Sequence, residues 1–224
     1  LVSVVIPTFD RNELVQGAIL NALDQSYEHI EVIVVEDGST STVDEFISGL
    51  GDNRVIYASH ETNRGLGATR NTGMSLAKGE YIAFLDDDDR WLENKIRLQV
   101  DIMKKCGNNK TMVYCFNTQK QGQKLHYQHC EPARGQMSDH IFRGRLLPSS
   151  SMMINRSSLI SLRGHSEELI SCVDHDMWMK LAINGFDMDL VEEGLIYSMD
   201  DERKRMVNQF DCRLEGIKQF FNKW

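Results

Sequence analysis

Two nearly unbroken β-branched runs, Val2-Ser3-Val4-Val5-Ile6 and Glu31-Val32-Ile33-Val34-Val35, set the main constraint on the fold. Strands of this composition are buried on both faces, and a parallel sheet covered by helices on each side hides them. The stretches between them carry the helical period. Leu14, Ala18, Ile19 and Ala22 form a stripe after Pro7 stops the first run. Ser41 or Thr42 can cap a second helix through Ile47, and residues 54–58 read as a third strand. A third helix runs from the glycine-containing loop at 63–67 to Lys78, with Gly79 as its stop, and Tyr81 to Leu85 form a fourth strand. The alternation predicts an α/β protein: a Rossmann-like, doubly wound, mostly parallel sheet with helices on both faces and right-handed crossovers. Ligands of such sheets lie beyond the carboxyl ends of the strands. Those ends hold Thr8, Asp37 and the run Asp86 to Asp89.

The second half is less regular. Residues 91–106 read as a helix, 111–116 as a strand, 117–135 as a polar excursion or hairpin, and 151–154 as a short strand. A helix over 172–184 is followed by Gly185 and a strand at 187–191. Beyond Asp200 a helical stripe of Met206, Phe210, Leu214, Ile217 and Phe221 suits a partner surface or an oligomer contact. No repeat or linker divides the chain, so one domain over 1–224 is expected. Its parts are a binding half at about 1–115, a catalytic half at about 116–200 and a C-terminal helix over 200–224.

Charge narrows the function. Thirty-three acidic against 25 basic residues give a net charge of −8, which disfavours nucleic acid as a partner. No apolar run reaches the roughly 18 residues of a membrane span, and no secretory-type leader is evident in a chain that opens on Leu1. The cysteines are five, an odd number without CxxC pairs, so free thiols in a reducing compartment are expected. The expected location is cytoplasmic, extending to peripheral contact with the cytosolic face of a membrane.

Four adjacent carboxylates, Asp86 to Asp89, repel one another unless solvated or neutralised by a cation. A solvated loop explains the charges but not their place after a buried strand. In extended backbone Asp86 and Asp88 share a face, and hard oxygens there suit Mg²⁺ or Mn²⁺ with positions left for a diphosphate. Asp37, before Gly38, is equally a turn residue and an acceptor for a base N–H or a ribose hydroxyl. The loop before Arg70 could cradle phosphate, but it is no Walker loop, and spacing alone favours a surface arginine. Asp174 and Asp176 suit a first helical turn, and either could act as a base; His175 between them is a weaker candidate. His126, His129 and Cys130 only loosely suggest zinc.

Taken together these segments resemble family 2 glycosyltransferases. The resemblance is carried by Val4-Val5-Ile6-Pro7-Thr8-Phe9, Val34-Val35-Glu36-Asp37-Gly38-Ser39, Asn63-Arg64-Gly65, Ala68-Thr69-Arg70-Asn71 and Phe84-Leu85-Asp86-Asp87-Asp88-Asp89. Gly164-His165-Ser166-Glu167-Glu168 is similar to the family's G-G-F-D-E turn, and Asp174-His175-Asp176-Met177-Trp178-Met179-Lys180-Leu181 to its D-x-D-L-W-x-R-L segment. The resemblance implies a GT-A fold, a nucleotide-sugar donor, a divalent metal (Mn²⁺ or Mg²⁺) and inversion at the anomeric carbon. It implies that Pro7 and Thr8 line the base pocket, Asp37 binds the base, Arg70 faces the diphosphate or supports the loop beside it, and Asp87 meets the ribose. Asp88 is then the metal ligand with Asp86 close by, and Asp174 the general base.

Three residues depart from the pattern. Asp10 precedes Arg11 where Asn is usual, Lys180 replaces Arg, and His165 replaces the aromatic of the G-F-D-E turn. An active hexosyl- or N-acetylhexosaminyltransferase with an unusual donor or acceptor is therefore expected. It would use a UDP-sugar and a hydroxyl of a glycan, polysaccharide or lipid-linked acceptor. The alternative is a non-catalytic nucleotide-sugar-binding module of a larger synthase, which predicts a missing base. A nucleotidyltransferase ranks last, because Pro7-Thr8-Phe9 stands where its glycine-rich loop belongs.

Overall fold

The computed structural model describes residues 1–121, 124–127, 131–143, 147–199 and 210–224. The two β-branched runs are β1 (Val2–Thr8) and β2 (Ile30–Asp37), buried along their whole length. They pair in parallel, joined by α1 (Asn12–Leu23); α2 (Asp44–Leu50) leads on to β3 (Val55–His60), and α3 (Leu66–Leu76) to β4 (Tyr81–Phe84). Because β4 pairs with β1, the α3 crossover passes over β2 and β1, and the strand order reverses between β1 and β4. That reversal is the crevice in which ligands of open α/β sheets bind.

The sheet continues as β3-β2-β1-β4-β9-β6-β10-β5. β9 (Met153–Asn155) runs antiparallel to both β4 and β6 (Thr111–Gln121), while β6 and β10 (Asp187–Ser198) are parallel. Antiparallel β5 (Asp89–Trp91) closes this path, β7 (Lys124–Tyr127) pairs with β6, and β8 (Gly135–Gln136) pairs with β10. The pleat divides the apolar side chains. Val4, Ile6, Val32 and Val34 face α1 and α4 (Lys95–Cys106), while Val5, Ile33 and Phe84 face α3 and α7 (Val173–Ile183). Two short helices, α5 (Met137–Ile141) and α6 (Arg156–Ser161), cap the second face.

Several expectations need correction. Trp91 does not begin a helix: Asp89–Trp91 is a strand paired with β10, and α4 starts only at Lys95. Gly79 is not the stop of α3, which ends at Leu76 with extended Ala77. Gly79 instead donates its N–H to Ser3 Oγ at 2.9 Å, where a Cβ would collide with Ser3. The second helix starts at Asp44, whose N–H is received by Thr42 Oγ1. The strand at 187 runs on to Ser198 through register shifts around Gly194. The last helix is α8 (Phe210–Lys223). Leu214 and Phe221 are exposed, whereas Gly216 packs on Ser171 and Gln219 accepts the Ile170 N–H. Residues 200–209, with Met206, lie outside the described residues, as do His129 and Cys130. Among the described residues no helix is long and apolar enough to cross a membrane.

Candidate active site

The carboxyl ends of β1, β2 and β4 present the predicted residues side by side. A cavity of about 350 Å³ is lined by Pro7, Thr8, Asp37, Asn63, Gly65 and Thr69, among others. Asp37 forms one wall, and its carboxylate is already engaged. Oδ1 meets His60 Nδ1 at 2.6 Å and accepts the Arg64 N–H at 2.9 Å, while Oδ2 accepts the Gly65 N–H at 2.8 Å. These bonds use three of the roughly four acceptor positions of a carboxylate. Asp37 thus shapes the loop before α3 while it lines the cavity. Gly38 is obligatory beside it, with φ of 71° and no room for a Cβ against the backbone of Thr62 and Asn63.

Thr8 links this cavity to the aspartate run. Its Oγ1 donates to Asp87 Oδ2 at 2.8 Å. Arg11 pairs with Asp87 Oδ1 at 3.1 Å and Asp88 Oδ2 at 3.3 Å. Burial pushes the Asp87 carboxyl up to about 7 against the pull of Arg11 and Thr8. The unusual Asp10 turns away from the run: its carboxylate accepts from the N–H and Oγ1 of Thr40, at 2.7 and 2.9 Å, stapling the β1 turn to the β2 turn. Asp89 serves the sheet, accepting from Ser198 Oγ at 2.6 Å across the β5–β10 pair.

Arg70 is the centre of a second group. It is not the surface arginine that spacing favours but is completely buried. NH2 donates to Asp86 Oδ1 at 2.8 Å, and NH1 donates to Asp174 Oδ1. One guanidinium therefore bridges the end of β4 to the first turn of α7. Burial pulls the Arg70 pKa down most strongly of any single influence, but Asp174 and Asp86 together outweigh it and lift the guanidinium above its usual value. Burial raises Asp86; Arg70 opposes this, and the charges of Asp174 and Asp88 reinforce it. Burial also acts upward on Asp174, but Arg70 and the Ser149 hydroxyl hold that carboxyl below the usual range.

Beside this pair lies His165, 3% exposed, edge-on to Phe84 with ring centroids 5.1 Å apart. Burial, aided by the Arg70 charge, drives its pKa down to about 3, so the ring is neutral at neutral pH. A histidine whose folded pKa lies below the unfolded value of about 6.5 adds stability above that value. The contribution is lost as pH falls from about 6.5 toward 3, by about 1.4 kcal/mol per pH unit. Between pH 6 and pH 4.5 the wild-type protein should lose about 2 kcal/mol more stability than His165→Phe in urea unfolding. Parallel pH profiles for the two proteins would refute this.

Sequence reasoning left Arg11, His60 and the serine turn at 149–151 without roles. Arg11 enters the sequence reading only as the second residue of the Asp10-Arg11 motif, His60 carries no motif, and Ser151 reads as the start of a strand over 151–154, whereas Ser149–Ser151 is a 3-10 turn and β9 begins at Met153. Asp176, the other candidate base, is fully buried and saturated. It accepts from Ser166 Oγ at 2.5 Å and Trp224 Nε1 at 3.1 Å, and it pairs with Lys180 and Lys223 at 3.1 and 2.9 Å. Lys180 thus fastens a carboxylate within its own helix. His175 stacks edge-on to Phe220 and joins neither group.

Among the described residues, no cluster of three or more His, Cys, Asp or Glu side chains could hold an ion by itself. Asp86 and Asp88, 32% and 16% exposed, offer hard oxygens on the cleft side of the run. That donor set fits a Mg²⁺ or Mn²⁺ ion that takes one or two carboxylates from protein and the rest from phosphate and water.

The sheet order, with its crevice at the β1–β4 reversal, is the GT-A architecture of glycosyltransferases. The structure superposes on Staphylococcus aureus TarS 1-349 in complex with UDP-GlcNAc with a TM-score of 0.77, at 20% identity, covering 92% of this chain and 60% of that one. It also matches mannosyltransferase PcManGT from Pyrobaculum calidifontis, in complex with GDP-Man and Mn²⁺, with a TM-score of 0.75 at 18% identity over 99% of this chain and 63% of that one. Residues 3–169 match the model of glycosyl transferase family 2, and the chain belongs to that family. One relative is the Escherichia coli UDP-Glc:alpha-D-GlcNAc-diphosphoundecaprenol beta-1,3-glucosyltransferase WfaP, 36% identical over 46% of this chain and 41% of its own length. The chain spans about a third to three-fifths of the length of the first curated relatives it matches.

Proposed function

We propose that this chain is the catalytic domain of an inverting glycosyltransferase. It moves a sugar from a nucleoside-diphosphate donor, a UDP-sugar first, to a hydroxyl of a glycan or lipid-linked acceptor. The observation that carries the reading is the Asp86–Arg70–Asp174 chain, which joins the donor crevice to a carboxylate kept ionised. The neighbours that bind UDP-GlcNAc and GDP-Man, and the diphosphoundecaprenol acceptor in the name of the E. coli relative, support the substrate classes.

In this reading Pro7, Thr8 and Asp37 receive the base and Asp87 lies toward the ribose. Asp88, with Asp86, would hold a divalent ion, which would offset charge on the departing diphosphate. Asp174 takes the proton of the acceptor hydroxyl as its oxygen bonds to the anomeric carbon. The bond from that carbon to the diphosphate oxygen breaks in the same step, and single displacement inverts the configuration. The alternative, a non-catalytic binding module, requires a lost or displaced base. Asp174 is present, ionised and 33% exposed, which favours the enzyme.

Thermal shift with UDP, GDP, dTDP and CDP, each with and without Mn²⁺, tests the donor site. One nucleotide should raise Tm only with metal, and a concentration of 100 Kd corresponds to about 2.7 kcal/mol. Asp88→Ala should abolish the metal dependence. If no nucleotide shifts Tm with any metal, the donor site is wrongly assigned.

A further inference from the structure

The carboxylate assigned as base is held in an asymmetric way. Arg70 NH1 and Ser149 Oγ both donate to Asp174 Oδ1, and among the described residues none donates to Oδ2. Ser149 is 2% exposed and stands in the 3-10 turn Ser149–Ser151, which follows Pro148. The turn is rigid on its own terms: the Ser151 N–H and Oγ both donate to Pro148 O, at 2.9 and 2.7 Å. Ser150 Oγ accepts the Asp86 N–H at 3.0 Å. One buried turn therefore sets both the backbone at the end of β4 and the carboxylate at the start of α7.

We infer that Ser149 is a positioning residue for the transfer reaction. With Arg70 it occupies Oδ1 of Asp174 and so commits Oδ2 to the acceptor hydroxyl. The chemistry favours this division of labour. Oδ1 lies off the Cβ–Cγ axis, so holding it sets the rotation of the carboxylate, and donors that reach it from α3 and from the Ser149 turn hold it more tightly than Arg70 alone. The Asp174 side chain is 33% exposed, so the carboxylate can be reached by an acceptor. Misplacing a reacting group by about 1 Å costs on the order of 10²-fold in rate. The loss belongs to the chemical step and leaves the donor site, on the far side of Arg70, unchanged.

This inference rests on the proposed function, and the experiment separates the two. The full chain is supplied with Mn²⁺ and UDP-glucose, UDP-GlcNAc or GDP-mannose, with water as the acceptor, and released nucleotide is measured. Ser149→Ala should lower kcat by about 10- to 100-fold, with the donor KM and the nucleotide-induced Tm shift within two-fold of wild type. Ser149→Thr, which keeps the hydroxyl, should recover most of the rate. Ser161→Ala removes a hydroxyl that donates to Ser158 O within α6 and touches neither the base nor the turn, and it should keep wild-type kcat. Full activity in Ser149→Ala, a loss confined to KM, or an equal loss in Ser161→Ala overturns the inference and leaves the function standing. A wild-type protein that neither binds nucleotide nor releases it from any donor overturns the function, and the role of Ser149 with it.

Discussion

Asp174→Asn should lower the rate of nucleotide release by about 10³-fold while the nucleotide still stabilises the protein as in wild type. The amide keeps the shape of the side chain and can still accept from Arg70, but it cannot take a proton. The groups proposed to bind the donor lie at the ends of β1, β2 and β4, whereas Asp174 comes from α7, so the change separates chemistry from binding. Steady-state rates and thermal shifts on the same preparation make the comparison. Retention of rate within ten-fold would remove Asp174 from the role of base.

The second large effect concerns stability. Arg70→Met should destabilise the protein by about 3–5 kcal/mol at pH 7, because removing one partner of a buried charge network leaves the others uncompensated. Here Asp86 and Asp174 would face each other across an apolar side chain beside Phe84, whose ring now lies 5.4 Å from the guanidinium carbon. The pH dependence identifies the cause. Without Arg70, both folded carboxyls titrate above their unfolded values near 4, so the folded state binds protons more tightly. Stability is then highest below about pH 4 and falls as pH rises through the raised values. Urea unfolding at pH 7 and pH 4.5 should show the gap to wild type narrowing on acidification, and adding Asp86→Asn should recover part of it at pH 7. A loss below 1 kcal/mol at pH 7 would mean that solvent reaches the pair.

Legibility in the sequence follows the range of the interactions. β1, β2 and β4 were readable because burial on both faces leaves a dense local pattern. The same local logic gave the strand ends and hence Thr8, Asp37 and the aspartates. β5 was not readable: Asp89-Arg90-Trp91 has no period of its own, and its strand form comes from pairing with residues 196–198. The turn at Ser149–Ser151 was missed for the same reason, since its hydroxyls matter only once β4 and α7 are beside it. Arg70 shows the limit most clearly. A charged residue just after a glycine loop reads as exposed, and only two acids from other segments, at 86 and 174, make its complete burial tolerable. Lys180 and Asp10 were legible as departures, but their partners, Asp176 and Thr40, needed the fold.

The position of β9 bears on how the chain is made. β9 lies between β4 and β6 in the sheet, yet it leaves the ribosome long after β4, on the order of several seconds later at ordinary rates of synthesis. During that interval the nascent β3-β2-β1-β4 sheet has an open edge, and an open edge recruits strands from other chains. Two features of β4 blunt the hazard. It is only four residues long, and the aspartates begin two residues beyond it, so an intruding strand finds little backbone to pair with and a wall of negative charge. The acidic run at the mouth of the crevice thus also falls beside the edge that stays open while the chain is made.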